Sequence, residues 1–289
     1  MPVFENLLQV VSHCDSFPYT LDPSSTDEIH HTVPFTLGLY TIGNVLPSVI
    51  PHLIQYNKQE NNFLITSGHI TFHRHINTPQ KRSDVVKQLM DTWRTNNTFD
   101  VLLGWRNELY PVYGDDSQPD NIACIICLVA GGISHTCSVK DTIVKECEEE
   151  ASIPFEVAKK VKYTTSTTTK RFQLTTGTNE KARSVNVISY FTYSSDGLQP
   201  ETEYIYDLEL PQDFKPNPRD GEVGCFYLWP LDIVKETFLN NEWKPNSALA
   251  MIDFMIRHSF VTPDEESDFI DITYRLHRRL EFPTPRKGN

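Results

Sequence analysis

The chain has 289 residues, enough to bury a sizeable core in one or two domains. Its 39% hydrophobic and 22% charged residues exclude a disordered chain. A net charge of −12 argues against a nucleic-acid partner, because affinity for phosphates rests mostly on Lys and Arg. An anionic substrate would therefore need a metal or a local basic pocket. The opening "MPVFENLLQVVSHCDSF" has an early acidic residue and only a brief apolar run, so no signal peptide is expected. No later stretch is apolar for long enough to cross a bilayer, so no membrane partner is expected. Six cysteines (Cys14, Cys124, Cys127, Cys137, Cys147, Cys225) are no disulfide framework in a chain this long, which predicts a reducing, cytoplasmic setting.

Residues 1–30 are weakly patterned. Phe35–Tyr40 reads as a strand that leads through Gly43 into a helix over Pro47–Tyr56. "FLITSGHITFHRHI" predicts two short strands joined by a turn at Gly68. "SDVVKQLMDTWRTN" predicts an amphipathic helix with Ser83 as N-cap and Val85, Val86, Leu89, Met90 and Trp93 as its apolar stripe. The turn-rich Gly114–Asp120 suggests a boundary, giving domains over 1–115 and 116–289. "NIACIICLVAGG" looks like a buried strand. "SVNVISYFTYSS", "EYIYDLELP" and "EVGCFYLWP" read as further strands. Helices are expected over Leu231–Asn240 and Asn246–His258, with Asn246 as an N-cap, followed by a short helical stretch over Pro263–Leu280. Strand, helix, strands, helices is the order of an α+β or α/β/α sandwich.

The segment "GGISHTCSVKDTIVKECEEEASIP", residues 131–154, ends a helical pattern in a cluster of glutamates. At 100° per residue, Glu146, Glu149 and Glu150 fall within an arc of about 100°, while Glu148 points to the other side. Val144, Cys147 and Ala151 form the buried stripe, with Ile143 at its edge. Three carboxylates on one face repel each other by a few tenths of a kcal/mol per pair. Such a run is either a solvated face or a cation site, and Mg²⁺ favours hard oxygen ligands of this kind.

The same segment resembles the Nudix box, G-x5-E-x7-R-E-U-x-E-E-x-G-U, where U is aliphatic. Gly131 takes the first Gly, with Gly132 beside it in the loop. Lys145 stands for the Arg, Glu146 for the next Glu, Cys147 for U, Glu149 and Glu150 for the pair, Ser152 for the second Gly and Ile153 for the last U. Cys137 replaces the first Glu of the pattern. The resemblance implies Glu146, Glu149 and Glu150 as ligands of Mg²⁺ or Mn²⁺. It makes Glu149 a candidate base for an attacking water, and Lys145 an orienting cation.

"FTLGLYTIGNVLPSVIPHL", "LGWRNELYPVY", "YIYDLELPQDFKPNPRDGEV", "WKPNSALAMIDFMIRH" and "LHRRLEFP" resemble a fungal and plant Nudix group. That group is related to the N-terminal half of fungal thiamine pyrophosphokinase, and its members carry an accessory domain before the hydrolase. The resemblance implies an α+β chain with a Nudix α/β/α sandwich after an N-terminal α+β domain. It implies a small-molecule diphosphate substrate: thiamine diphosphate and its oxidised forms, converted to monophosphates. It also points to Glu222, in "RDGEV" with Arg219, as a late base or extra ligand. Lys244, ahead of a helix start, could receive a phosphate. Where that group has a long segment before the box, only residues 114–130 separate Tyr113 from Gly131, so the Nudix sheet is expected to be short of strands. Two other readings stay open: a pyrophosphatase of nucleoside-diphosphate-linked substrates such as ADP-ribose, and a catalytically inactive remnant that binds. Cys124-x2-Cys127 lacks a second pair and reads as core. The alternating His69, His73 and His75 read as surface or core rather than metal ligands.

Overall fold

The computed structural model describes residues 3–104, 138–158, 183–207, 214–217 and 229–282. It is an α+β structure whose chain folds into two compact, interleaved units. One unit comprises Met1–Asp15, Thr136–Tyr190 and Glu201–Arg278, and the other Ser16–His135, Phe191–Pro200 and Arg279–Asn289. The domain boundary expected near 115 lies outside the described residues.

The second unit is built on a four-stranded mixed sheet in the order β2-β1-β4-β3. β1 (Val33–Leu37) and β2 (Tyr40–Val45) form an antiparallel hairpin. Phe35–Tyr40 is thus not one strand. Gly38 turns the chain at φ 57, a conformation that costs glycine little, and Tyr40 already belongs to the return strand. β1 then pairs in parallel with β4 (Ile70–Phe72), which pairs antiparallel with β3 (Phe63–Ile65), the two short strands expected around Gly68.

The predicted helix after β2 is α2 (Ile50–Glu60), entered through a 3-10 turn at Pro47–Val49 and closed by left-handed Asn61. The amphipathic helix is α3 (Pro79–Thr95), longer at its start than expected. Its N-cap is Thr78, whose hydroxyl accepts from the Lys81 N–H at 3.2 Å. Pro79 follows at the first helical position, where a missing N–H costs nothing. Ser83 lies inside the helix and donates back to the Pro79 carbonyl at 2.9 Å. The stripe Val85, Val86, Leu89, Met90 and Trp93 is buried against Phe35, Ile70 and Phe72 of the sheet and Leu53 and Tyr56 of α2.

In the first unit, helices gather around α7 (Pro245–Arg257), where Leu249, Ile252 and Met255 are fully buried. α1 (Leu7–Cys14), α6 (Leu231–Leu239) and α8 (Phe269–Leu276) supply Val11, Phe238, Ile272 and Leu276 to the same core. α7 starts one residue earlier than Asn246 because Pro245 sets the first turn. The Asn246 side chain is engaged elsewhere, donating to Glu203 at 2.9 Å. α8 is shorter than the Pro263–Leu280 pattern, whose first residues form turns.

α1 and α8 are tied by buried Asp15, which accepts from Arg278 at 2.9 Å and from Arg275 at 3.3 Å. β5 (Arg183–Ser194) and β6 (Gly197–Asp207) make a two-stranded hairpin. Two of the expected strands are thereby present, while "EVGCFYLWP" and "NIACIICLVAGG" fall outside the described residues except for Trp229 and Pro230.

Candidate functional site

The glutamate cluster sits on α4 (Val139–Ala151), which is followed by the single turn α5 (Phe155–Ala158). Ser138 opens this helix as N-cap: its hydroxyl accepts from the Asp141 N–H at 3.0 Å and donates to the Asp141 carboxylate at 2.6 Å. An acid in the first turn suits the positive end of the helix dipole.

The other end is arranged differently. The last turn carries Glu148, Glu149 and Glu150 and no basic residue, so negative side chains crowd the negative end of the dipole. That placement works against helix stability unless a cation lies nearby.

The C-terminus of α4 is fixed from several sides. Ser152 takes a left-handed conformation, φ 54 and ψ 30, at the position where the box pattern has glycine. The Ser152 N–H bonds to the Glu148 carbonyl at 3.1 Å and the Ile153 N–H to the Cys147 carbonyl at 3.0 Å, which satisfies two of the last helix acceptors. Ile153 then turns inward and packs with Val144, while Cys147, Ala151, Tyr206 of β6 and Phe214 complete the cluster. Segment 214–217 clamps the turn: the Ser152 hydroxyl donates to the Asn217 carbonyl at 2.8 Å, and the Asn217 N–H reaches the Ala151 carbonyl at 3.2 Å. The predicted buried stripe of Val144, Cys147 and Ala151 is therefore the face that packs.

Two of the expected ligands converge on a cation that the chain itself provides. Lys145 Nζ lies 3.1 Å from Glu149 Oε2 and 3.8 Å from Glu146 Oε1. All three side chains remain open to solvent, with 30% of Glu146, 47% of Glu149 and 61% of Lys145 exposed. Burial pushes the Cys147 thiol up, and the neighbouring charges of Glu150 and Glu146 push it further, so this cysteine stays protonated.

Carboxylate oxygens are the hard donors a divalent cation takes, and the Lys145 ammonium lies where such a cation would compete for Glu146 and Glu149. Among the described residues, no group of three or more His, Cys, Asp or Glu is close enough to enclose a metal ion. A cation here would draw its other ligands from water and substrate phosphates, as Mg²⁺ commonly does.

The remaining expected site residues are not brought to α4 within the described structure. Gly131, Gly132, Cys137, Arg219 and Glu222 lie outside the described residues, as do Cys124 and Cys127. Lys244 is exposed just before α7, and its ammonium acts on Glu201 of β6. His73 and His75 lie after β4 rather than on a strand, with their Nδ1 atoms 2.8 Å apart, whereas His69 bonds to Thr66.

The clamp from Tyr206, Phe214 and Asn217 was not evident in the sequence, although alternation in "EYIYD" placed Tyr206 on a strand. A second polar group also escaped pattern reading. Arg257 of α7 forms a paired contact to Asp207 at 2.7 and 3.0 Å and reaches Asp253 at 2.7 Å. His258 bonds to Asp207 at 3.0 Å, and Asn186 donates to Asp253 at 2.6 Å. An i,i+4 Asp–Arg pair, Asp253 and Arg257, is the one signal that could have found it.

Sequence comparison adds two kinds of relative. A family described as a domain of unknown function (DUF4743) matches residues 6–121, ahead of α4. An uncharacterized protein of Saccharomyces cerevisiae is 37% identical over 158 residues, covering 54% of this chain and 43% of that protein. Two proteins of Arabidopsis thaliana carry the name Nudix hydrolase. Nudix hydrolase 20, chloroplastic, is 35% identical over 156 residues, 53% of this chain and 35% of the relative. Nudix hydrolase 24, chloroplastic, is 26% identical over 299 residues, 83% of this chain and 74% of the relative. The chain thus spans less than half the length of the first two relatives. The last alignment is longer than the 289-residue chain, so part of it is residues of the relative facing gaps. No helix among the described residues is long and apolar enough to cross a membrane.

Proposed function

We propose that this protein is a Nudix-type hydrolase that cleaves a diphosphate linkage of a small molecule with the help of Mg²⁺ or Mn²⁺. Residues 1–115 would form an accessory domain and 116–289 the hydrolase domain, with the catalytic part an α/β/α sandwich. The observation that carries the reading is the geometry of α4. Glu146 and Glu149 meet at one cation, and left-handed Ser152 ends the helix where the box pattern calls for glycine. The plant relatives named Nudix hydrolase support the same chemistry.

Glu146, Glu149 and Glu150 would hold the metal, with Gly131 and Gly132 shaping the loop before α4. When bound, the metal neutralises phosphate charge and lowers the pKa of a coordinated water. Glu149 or Glu222 would take the proton of the attacking water, a role that needs a carboxylate within hydrogen-bond reach of it. Lys145 holds Glu146 and Glu149 in orientation. As a point charge it does so without the two-pronged contact an arginine would make. Lys244 and Arg219 would receive substrate phosphate. The substrate we infer is thiamine diphosphate and its oxidised analogues, released as monophosphates in the cytoplasm, on the strength of the group resemblance spread through the chain.

The test is release of phosphate product from thiamine diphosphate, its oxidised analogues and ADP-ribose, with and without Mg²⁺, by the full chain and by Glu149→Gln. Metal-dependent turnover that falls by at least about 100-fold in the variant is expected, since even outer partners of metal ligands cost roughly 10–100-fold. Preference for ADP-ribose would move the substrate to nucleoside-diphosphate-linked compounds. Folded protein with no turnover on any of them would identify an inactive remnant with a binding role.

A further inference from the structure

Away from α4, Tyr190 stands on β5 inside the helical core of its unit, with 1% of its surface exposed. Its hydroxyl meets two carboxylates of β6. Tyr190 Oη lies 2.7 Å from Glu203 Oε1 and within hydrogen-bond distance of Glu201 Oε2. Glu201 and Glu203 are two residues apart, so they project from the same face of their strand. From the neighbouring helix, Asn246 Nδ2 donates to the same Glu203 oxygen at 2.9 Å, and Lys244, exposed at the start of α7, is the nearby cation. Among the described residues, these are the polar and charged groups of β5, β6 and α7 that meet the cluster.

A phenol has one hydrogen and can donate it to one carboxylate. With both glutamates ionised, one of the two oxygen–oxygen contacts would have no hydrogen in it. It would press lone pairs and two like charges together in a half-buried site, which is strongly unfavourable. A single added proton removes the conflict, and we propose that the folded protein carries that proton at neutral pH on Glu201, as a neutral carboxylic acid. The hydrogen bonds then run one way: Glu201 donates to Tyr190, Tyr190 donates to Glu203, and Asn246 donates to Glu203.

The choice between the two acids follows from their partners. Among the described residues, Glu203 meets two donors, Tyr190 and Asn246, while Glu201 meets Tyr190 alone. Burial pushes the Glu201 carboxyl up, against the hydrogen bond from Tyr190, and the charge of Glu203 adds to the rise. Lys244 acts in the opposite sense, but from an exposed position where solvent screens it. Burial and both acids push the Tyr190 phenol up as well, so the phenol cannot relieve the conflict by losing its own proton.

A carboxyl raised in the folded state contributes stability at low pH that is lost as pH rises through its folded value. The cluster is therefore a point at which the unit loses stability as pH rises. It is distinct from the α4 carboxylates, although Lys244, which the hydrolase reading assigns to substrate phosphate, acts on it.

The experiment is infrared spectroscopy of the full chain at pH 7, where ordinary Asp and Glu are ionised and a protonated carboxyl band stands alone. The wild type is expected to show that band and Glu201→Gln to lack it. Gln keeps a donor toward Tyr190, so the melting temperature of the variant at pH 7 should stay within about 2 °C of wild type. The fall in wild-type melting temperature as pH rises above the ordinary Glu range, about 4.3, should be flattened in the variant. Absence of the band in the wild type, or its persistence unchanged in Glu201→Gln, would overturn the assignment. The wild-type spectrum decides the matter even if the variant fails to fold.

Discussion

Two regions gather carboxylates around one cationic side chain, and they do so to opposite ends. Around Arg257, Asp253 is 2% exposed and Asp207 26%, and the guanidinium, His258 and Asn186 supply donors to both acids. Around Lys145, the ammonium is 61% exposed and Glu149 47%, and the acids crowd the wrong end of their helix. The first arrangement is closed, with its charges spent on one another. The second leaves negative charge near the surface, on a helix whose C-terminus is held by Tyr206, Phe214 and Asn217. The comparison teaches that number of acids is a poor guide to a ligand site. At the proposed site the charge stands against local helix preference, with rigid support behind it.

Breaking the closed network should have the largest effect. Arg257→Ala leaves Asp253 buried without its cation and is expected to cost about 3–5 kcal/mol in denaturant unfolding. A loss below about 1 kcal/mol would make the network no more than a surface pair.

Acid sharpens the same contrast. Burial alone would raise the Asp207 carboxyl, but hydrogen bonds from Arg257 and His258 outweigh it and hold the group below its ordinary range. A depressed folded value means the stability it provides is present above the unfolded pKa, about 3.9, and is lost as pH falls through the lower folded value. Melting temperatures of wild type should therefore drop more steeply below about pH 4 than those of Arg257→Ala. Parallel curves would deny the coupling.

The clamp behind α4 gives a smaller effect. Ser152→Ala loses the bond to Asn217 and keeps the left-handed strain, and should cost about 1 kcal/mol. Ser152→Gly loses the same bond but relieves strain of about 1 kcal/mol and should come out near neutral. Equal losses in the two variants would show that backbone conformation does not matter at this position.

The smallest stability effect belongs to the exposed pair. Lys145→Ala should change unfolding free energy by less than about 1 kcal/mol. Glu149→Gln, by removing a like charge near the helix C-terminus, should raise it by a few tenths of a kcal/mol while weakening metal binding. Opposite signs in stability and binding are the mark of a residue kept for a ligand.

Sequence pattern made α3 and α4 legible because each repeats an apolar stripe at helical spacing. Val85 to Trp93 and Val144 to Ala151 pack as that period requires. It missed where helices begin when proline intervenes. Thr78–Pro79 and Lys244–Pro245 start their helices ahead of the hydroxyl or amide that looked like a cap. It read Phe35–Tyr40 as one strand because a two-residue turn leaves little mark in an apolar run. The α4 glutamates and Lys145 could be placed on one face by periodicity alone. Their support from Asn217, 65 residues past Ser152, could not, because backbone-mediated contacts across that distance have no residue-type signature. The buried network of Asp207, Arg257 and Asn186 and the cluster on Tyr190 are likewise long-range pairings that alternation on a strand does not announce.

The central claim is that α4 presents its carboxylates to a divalent cation, and Mn²⁺ binding followed by electron paramagnetic resonance tests it most directly. The full chain is expected to take up Mn²⁺ in competition with Mg²⁺, with affinity falling at least about 10-fold in Glu149→Gln and in Glu146→Gln and unchanged in Glu148→Gln. Binding that is absent in the wild type, or that falls equally in all three variants, would contradict it.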